Sequence, residues 1–447
     1  MSKQNYTEHL KKNFFLAYPV MLSQLGHMMV GVADSVMVGR LGAVPLAGSS
    51  LANVIFHITL MFGIGVSYAI TPLVAAADGE GNVNKSADFL RHAIVINVIT
   101  GFLLFAIVKI ANPALAHMDQ PEDVVVLAIP YLNIITFSLV PLLIFQTFRQ
   151  FAEGLSNTKQ AMIIVIASNL VNVALNYVLI YGKMGFDAYG LLGAGYASFI
   201  SRIILAAWMA LYIYYGKRFS PYRLGFAISN YSKAIFKKML GIGLPAGFQM
   251  IFEVSAFGCA VIMIGWLGAE ALAAHQIAIN LAAISYMMAS GLSSAATVRV
   301  GNQLGLKDIP TLRAAAFTLY GMVIIFMGVC ATLFIVGRYY LPSLYIENDN
   351  VIEIASTLLI IAGFFQLSDG IQVLSLGALR GLEDVKIPTL MTFIAYWVLA
   401  LPIGYTLGFV YDMGAQGVWY GLLIGLTIVA IFMLWRFNLL TKRMLSA

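Results

Sequence analysis

Twelve apolar runs, each long enough to reach across a lipid bilayer, leave this chain one class of fold. They lie near residues 14–38, 47–77, 91–111, 125–148, 160–182, 190–215, 240–265, 272–300, 313–337, 351–376, 387–409 and 414–437. About 20 apolar residues in a helix cross the hydrocarbon core. Lipid offers the backbone no hydrogen-bond partners, so such runs must satisfy their own amides as helices. The chain has 447 residues, 60% hydrophobic and only 10% charged, with a mean hydropathy of +0.87. An ordinary soluble domain carries about 25% charged residues. A soluble core could not hide this much apolar surface. The expected fold class is therefore all-α and integral to the membrane. The first run follows Lys3, Lys11 and Lys12, carries His27 and Asp34, and has no small-residue cleavage site. It is too long for a signal peptide and is expected to stay as the first span.

The twelve spans divide into two copies of six. Pro19, Gly39, Leu41, Gly42, Ala43, Leu46, Ala47 and Gly65 recur at one fixed offset as Pro245, Gly265, Leu267, Gly268, Ala269, Leu272, Ala273 and Gly291. Gly154, Leu155 and Lys159 recur at almost the same offset as Gly381, Leu382 and Lys386. Six spans is an even number, so both copies enter the membrane from the same side, as a parallel repeat requires. Two same-sense bundles related by an axis along the membrane normal form a carrier architecture. The expected division is an N-terminal six-helix lobe at 1–215, a basic linker at 216–239 and a C-terminal six-helix lobe at 240–447. One chain already holds both lobes, so a monomer suffices.

Charge placement orients the bundle and excludes other functions. All but Arg40, Lys109, Lys183, Arg338 and Arg202 of the 26 Lys and Arg residues fall on one side of the predicted spans, in what read as short loops. Such a bias marks the cytoplasmic side, which puts both termini in the cytoplasm. The pI of about 9.1 does not imply nucleic acid, because no basic stripe or nucleic-acid motif is present. The linker mixes Lys217, Arg218, Arg223, Lys233, Lys237 and Lys238 with Phe219, Tyr222, Phe226 and Phe236. It suits anionic lipid headgroups, or equally a solvated tether that reinforces topology. Cys259 and Cys330 lack disulfide or metal spacing and read as buried, inert thiols. There is no Walker sequence, nucleophile elbow or His-Glu-x-x-His motif, so ATP-driven pumping and hydrolysis have no visible machinery and no cofactor is expected.

Three acids lie where acids are costly. Asp34, Glu253 and Asp369 fall inside predicted spans, where an ionised carboxylate costs roughly 2.5–3.5 kcal/mol on insertion scales. Such residues commonly serve ion or proton movement. Gln249 lies one turn before Glu253, and Gln366 and Gln372 bracket Asp369. Asn169, Asn172 and Asn176 share one face of the fifth span, and the eighth carries His275, Gln276, Asn280, Ser285 and Tyr286. These groups must face protein or a wet cavity, although helix-to-helix hydrogen bonding would also account for single amides. His27 and His57 read as satisfied interior histidines, and Arg202 as paired with an acid or snorkelling. Hard oxygen donors at Glu253, Asp369 and Tyr286 suit Na⁺ or a proton rather than a transition metal. Pro19, Pro141, Pro245 and Pro402, with Gly26 and Gly31, offer places to bend.

Several short runs carry a family resemblance. The stretch Ala33-Asp34-Ser35-Val36-Met37-Val38-Gly39-Arg40-Leu41-Gly42 resembles the first-helix signature of the MATE family, the multidrug and toxic compound extrusion transporters. Ala273-Ala274-His275-Gln276-Ile277-Ala278, Gly301-Asn302-Gln303-Leu304-Gly305 and Gly377-Ala378-Leu379-Arg380-Gly381 are similar to later signatures. Glu253, Tyr286 and Asp369 together resemble the bacterial NorM-type branch. The resemblance implies a secondary antiporter, not an enzyme, that exports amphipathic and often cationic organic compounds in exchange for Na⁺ or H⁺. It implies a cell-membrane location and a coupling-cation site at Glu253 and Asp369, with Tyr286 contributing. It also implies an N-lobe polar site for a proton or substrate at Asp34, Asn172 and Asn176, and Gln249, Gln276 and Asn280 are secondary candidates. Relatives with a fuller N-lobe proton site carry aspartate where this chain has Asn176, and tyrosine where it has Val30. A lipid-linked oligosaccharide or lipid-II flippase of the same superfamily is the rival reading, though it would ask for extra spans and a more cationic cavity. An integral-membrane lipid enzyme is a further one, for which His92 and His117 fall near opposite faces.

Overall fold

The structure is a computed structural model that describes residues 3–117, 121–222 and 230–446. Among these, twelve helices are long and apolar enough to cross a membrane: α1 Tyr6–Gly39, α2 Ala43–Gly79, α3 Val83–Ala111, α4 Glu122–Gly154, α5 Lys159–Tyr181, α6 Leu191–Tyr215, α7 Lys233–Gly265, α8 Ala269–Gly305, α9 Ile309–Val336, α10 Asp349–Gly381, α11 Lys386–Val410 and α12 Gly414–Ser446. The all-α, twelve-span fold is as the apolar runs require. Large side chains such as Ile110, Val336 and Ile325 stand exposed on outer faces, where lipid replaces water.

The repeat extends to backbone detail. Gly42 and Gly268, at the N-caps of α2 and α8, both take a positive φ, of 123° and 112°. A side chain there would be strained, which is why both copies hold glycine. Asn82 accepts the Lys85 amide at the start of α3 (3.0 Å), and Asp308 accepts the Thr311 amide at the start of α9 (3.1 Å). Each cap satisfies a donor that the first helical turn would leave open.

Most helices outrun their apolar cores. α8 has 37 residues, or about 55 Å of helix, against a hydrocarbon core of about 30 Å. Many charges read as loop residues are therefore helical: Arg149 lies in α4, Arg299 in α8 and Arg380 in α10. Arg149 is moreover buried and paired with Glu153 one turn on (2.7 Å). Likewise α7 begins at Lys233, which places Lys233, Lys237 and Lys238 on a helix rather than in the linker. Arg223 and Phe226 lie outside the described residues. The flanking linker residues are not a free tether. Phe219 is buried against Phe151, Arg218 donates to the Leu155 carbonyl (2.9 Å), and Arg91 and His92 of α3 bind the backbone of Asn230 and Ser232 (2.9 and 2.8 Å).

Three spans are interrupted. α2 breaks at Tyr68 and Ala69, and α4 breaks at Ser138, with Pro141 in the turn that follows, where its missing N–H costs least. α11 contains two wide π-helical stretches, Ile394–Ala400 and Thr406–Val410, flanking Leu401–Tyr405 with Pro402 near its start. α1 and α7 run unbroken through Pro19 and Pro245.

By packing, the chain divides into two compact units, one of Leu22–Gly247 and one of Met1–Met21 with Phe248–Ala447. The division cuts α1 after Met21 and α7 after Gly247, which are equivalent positions of the two copies, so it too obeys the repeat. Within the second unit the core is rich in alanine, including Ala256, Ala260, Ala274 and Ala278. Small residues let helices approach closely where no hydrophobic effect drives them together.

Candidate functional site

In the unit that holds the C-terminal copy, α7, α8, α10 and α11 converge on buried polar groups. Glu253 of α7 is buried and accepts a long hydrogen bond from Gln372 Nε2 of α10 (3.5 Å). The Tyr396 hydroxyl of α11 donates to Gln372 Oε1 (2.8 Å). Asp369, nearly one turn before Gln372, is buried, feels the charge of Glu253, and accepts no hydrogen bond among the described residues. One turn earlier again, Gln366 Oε1 accepts from Ser285 Oγ of α8 (2.5 Å). Gln249 is fully buried, and neither atom of its amide finds a partner among the described residues. Buried polar groups are ordinarily hydrogen-bonded, because an unmet donor or acceptor costs about 1–3 kcal/mol. The i, i+3 and i, i+4 spacings put Gln249 with Glu253, and Gln366 with Asp369 and Gln372, on single helix faces.

The other candidates fall in different places. Tyr286 is half-buried, next to Ser285, within electrostatic reach of Tyr396. Gln276 and Asn280 bond to one another along α8 (3.0 Å), with Gln276 exposed. Neither has a hydrogen bond to Glu253 or Asp369. Among the described residues no three His, Cys, Asp or Glu side chains gather as a metal site. A cation at Glu253 and Asp369 would therefore complete its shell with amide, hydroxyl or backbone oxygens, the donor type that suits Na⁺.

In the unit of Leu22–Gly247, Asp34 is half-buried and accepts from Asn176 Nδ2 (2.5 Å). Asn176 also donates to Asn172 Oδ1 (3.2 Å), and Asn172 donates to Ser201 Oγ (3.1 Å). α1 and α5 run parallel here: Gly26 lies against Asn169, Asp34 against Asn176, and the Tyr181 hydroxyl binds the Met37 carbonyl. Asp34, Asn172 and Asn176 thus form one connected network with α6.

Some expectations need correction. Among the described residues Arg202 makes no ion pair with an acid, although Asp34 acts on it electrostatically. Its guanidinium donates to Ser138 Oγ (2.5 Å) and lies 4.6 Å from the Phe56 ring centre, an arrangement that holds a cation inside an apolar bundle. His27 Nε2 is buried without a partner, so this histidine is not satisfied, and His57 is exposed. Both cysteines are only half-buried, because a lipid-facing surface can accept a thiol as readily as a core can. Sequence reasoning also missed two participants. Ser201, next to Arg202 in the sixth span, was a polar residue there to be read. Tyr396 had no such signal, since it stands in an apolar run whose helical register changes.

The comparisons agree with this architecture. The MatE family model matches twice, over residues 19–178 and 245–406, starting at Pro19 and at its repeat counterpart Pro245. The "Multidrug resistance protein MdtK" of Yersinia pseudotuberculosis serotype O:1b (strain IP 31758) is 34% identical, covering 98% of this chain and 97% of its own. The protein of that name from Yersinia enterocolitica serotype O:8 / biotype 1B (strain NCTC 13174 / 8081) has the same identity and coverage. Among solved structures, the eukaryotic MATE transporter AtDTX14 superposes with a TM-score of 0.89 at 19% identity, over 98% of this chain and 99% of that one. A MATE structure in the bent conformation matches with a TM-score of 0.89 at 17% identity, over 100% and 99%. The doubled match, the full-length relatives and the shared fold together place this chain in the MatE family.

Proposed function

We propose that this protein is a secondary active antiporter that exports amphipathic, often cationic, drugs and toxic organic compounds in exchange for Na⁺ or H⁺. The likeness to MdtK along the whole chain supports the substrate class. The observation that carries the coupling is the burial of Glu253 and Asp369 together, among amides and hydroxyls, with no cationic side chain bonded to either among the described residues. Two neighbouring buried carboxylates favour uptake of a small cation that relieves their repulsion.

The working cycle is a competition for charge. Na⁺ or H⁺ entering from outside neutralises the acids, attraction for a cationic substrate falls, and the substrate leaves. Coupling requires that the ion bind the two conformations with different affinity. Asp34, held by Asn176, is an acid of the other unit at a position where the C-terminal copy has Ala260, and it is placed for a proton or for substrate. The Lys and Arg bias supports cytoplasmic termini in the cell membrane, and the presence of both copies in one chain supports a monomer working among lipids. The reading is of a carrier with no chemical step. Dye efflux from intact cells or everted vesicles tests it: Glu253→Gln and Asp369→Asn should each abolish cation-driven export at normal protein levels. Wild-type export in either variant would remove that residue from coupling.

A further inference from the structure

We infer that Tyr396 is a positioning residue for the coupling-cation site, holding the Gln372 amide so that it turns its NH₂ group, rather than its oxygen, toward Glu253. The inference rests on the reading that Glu253 takes the coupling cation, and it goes on to say what sets the affinity there.

Gln372 and Tyr396 are both fully buried. The Tyr396 hydroxyl donates to Gln372 Oε1 at 2.8 Å, which leaves Gln372 Nε2 to donate to Glu253 Oε1 at 3.5 Å. An amide carries its donor and acceptor on opposite arms, so fixing one arm fixes the other. In the reverse orientation the amide oxygen would face the carboxylate oxygens. The Tyr396 oxygen could accept from the NH₂, but its own proton would lose the Gln372 oxygen that receives it now. The observed arrangement therefore favours an ionised, empty Glu253.

Either coupling ion asks for the reverse. Na⁺ takes oxygen ligands and is repelled by an NH₂ group. A protonated Glu253 has a proton to donate and needs an amide oxygen to receive it. Tyr396 opposes the flip by one buried hydrogen bond and so holds cation affinity down, which suits a site that must release its ion in every cycle.

The backbone of α11 supports this role independently. Tyr396 lies in the π-helical stretch Ile394–Ala400. Such wide turns re-aim side chains and often occur at functional positions. The adjacent Trp397 indole donates to the carbonyl of Phe252, the residue before Glu253 (3.0 Å). Phe393 packs on Phe252 and Tyr396 on Phe257, with ring centres 4.9 and 5.8 Å apart. Three α11 side chains thus brace α7 on either side of Glu253.

The test measures Na⁺ and H⁺ dependence of dye efflux in vesicles for the wild type, Tyr396→Phe, Gln372→Leu, the double variant and Glu253→Gln. Tyr396→Phe should lower the half-saturating concentration of the coupling cation about three- to tenfold, the equivalent of one buried hydrogen bond. In the Gln372→Leu background there is no amide to orient, and the same change should add nothing. A merely structural role would instead lower protein level or maximal rate at unchanged half-saturation. Fluorotyrosine at position 396, a stronger donor, should raise the half-saturating concentration, and this arm decides the matter if Tyr396→Phe accumulates poorly. An unchanged or raised value in Tyr396→Phe, or an equal shift without the amide, overturns the inference while leaving Glu253 its role. Wild-type cation dependence in Glu253→Gln would overturn the underlying reading, and the inference with it.

Discussion

Asp369 is a buried carboxylate with no hydrogen bond of its own among the described residues, and Gln249 is a buried amide in the same condition. Groups held in this way raise the free energy of the empty site, so filling it is favoured more than a fully satisfied site would allow. Asp369→Asn and Glu253→Gln should therefore abolish cation-coupled efflux, with little change in the amount of protein in the membrane. Asp34→Asn keeps the hydrogen-bonding shape of the Asn176 contact but removes the charge. It should impair transport, which a dye-efflux assay reads, and unchanged efflux with unchanged cation dependence would free Asp34 from any coupling role. At this scale the acids were legible in the sequence, because a charge within an apolar run stands out whatever its neighbours. Their partners were legible only where spacing on one helix revealed them, as for Gln372 in the turn after Asp369. Tyr396 comes from another helix, and no spacing rule links it to Glu253.

α11 and α12 show what determines an element here. Gly404 and Gly408 lie against Gly417, Gly421 and their neighbours, and a Cβ at Gly421 would meet the Gly404 nitrogen at 2.3 Å and the Ala400 carbonyl oxygen at 2.6 Å. Backbone cannot yield as a side-chain tip can, so Gly421→Ala should destabilise the protein by about 1–3 kcal/mol. Gly328, on α9, has nothing within 4 Å of its would-be Cβ, and Gly328→Ala should leave stability unchanged or raise it by up to about 1 kcal/mol. Thermal unfolding in detergent compares the two, and equal melting points would contradict the close-packed account of α11 and α12. Helix existence was readable from apolar length, but helix starts were not: the third and ninth apolar runs open near 91 and 313, whereas the helices begin at Val83 and Ile309, capped by Asn82 and Asp308. The breaks in α4 and α11 fall near Pro141 and Pro402, two of the expected bending places, whereas the break in α2 at Tyr68 and Ala69 has no proline to mark it.

The two packed units share the chain in a way that a cut at the linker would miss. Lys233–Gly247 of α7 belongs with α2 to α6, where a Cβ on Gly243 would meet the Val66 carbonyl oxygen at 2.5 Å and one on Gly65 the Gly247 Cα at 2.6 Å. A fragment ending at residue 247 should accordingly resist proteolysis in membranes better than one ending at 215, which bares that glycine-lined face of α2. Equal resistance would show that this helix half adds nothing to the unit. The repeat was visible in the sequence as a fixed offset, but the exchange of half-helices was not, since it depends on packing rather than on composition. The account as a whole rests on buried carboxylates that trade a small cation for an organic one. It is tested most directly by dye efflux from everted vesicles under separately imposed Na⁺ and pH gradients, with Glu253→Gln measured beside the wild type. The account predicts that at least one gradient drives export in the wild type and that neither does in the variant. Export driven by neither gradient in the wild type, or driven equally in the variant, would contradict it.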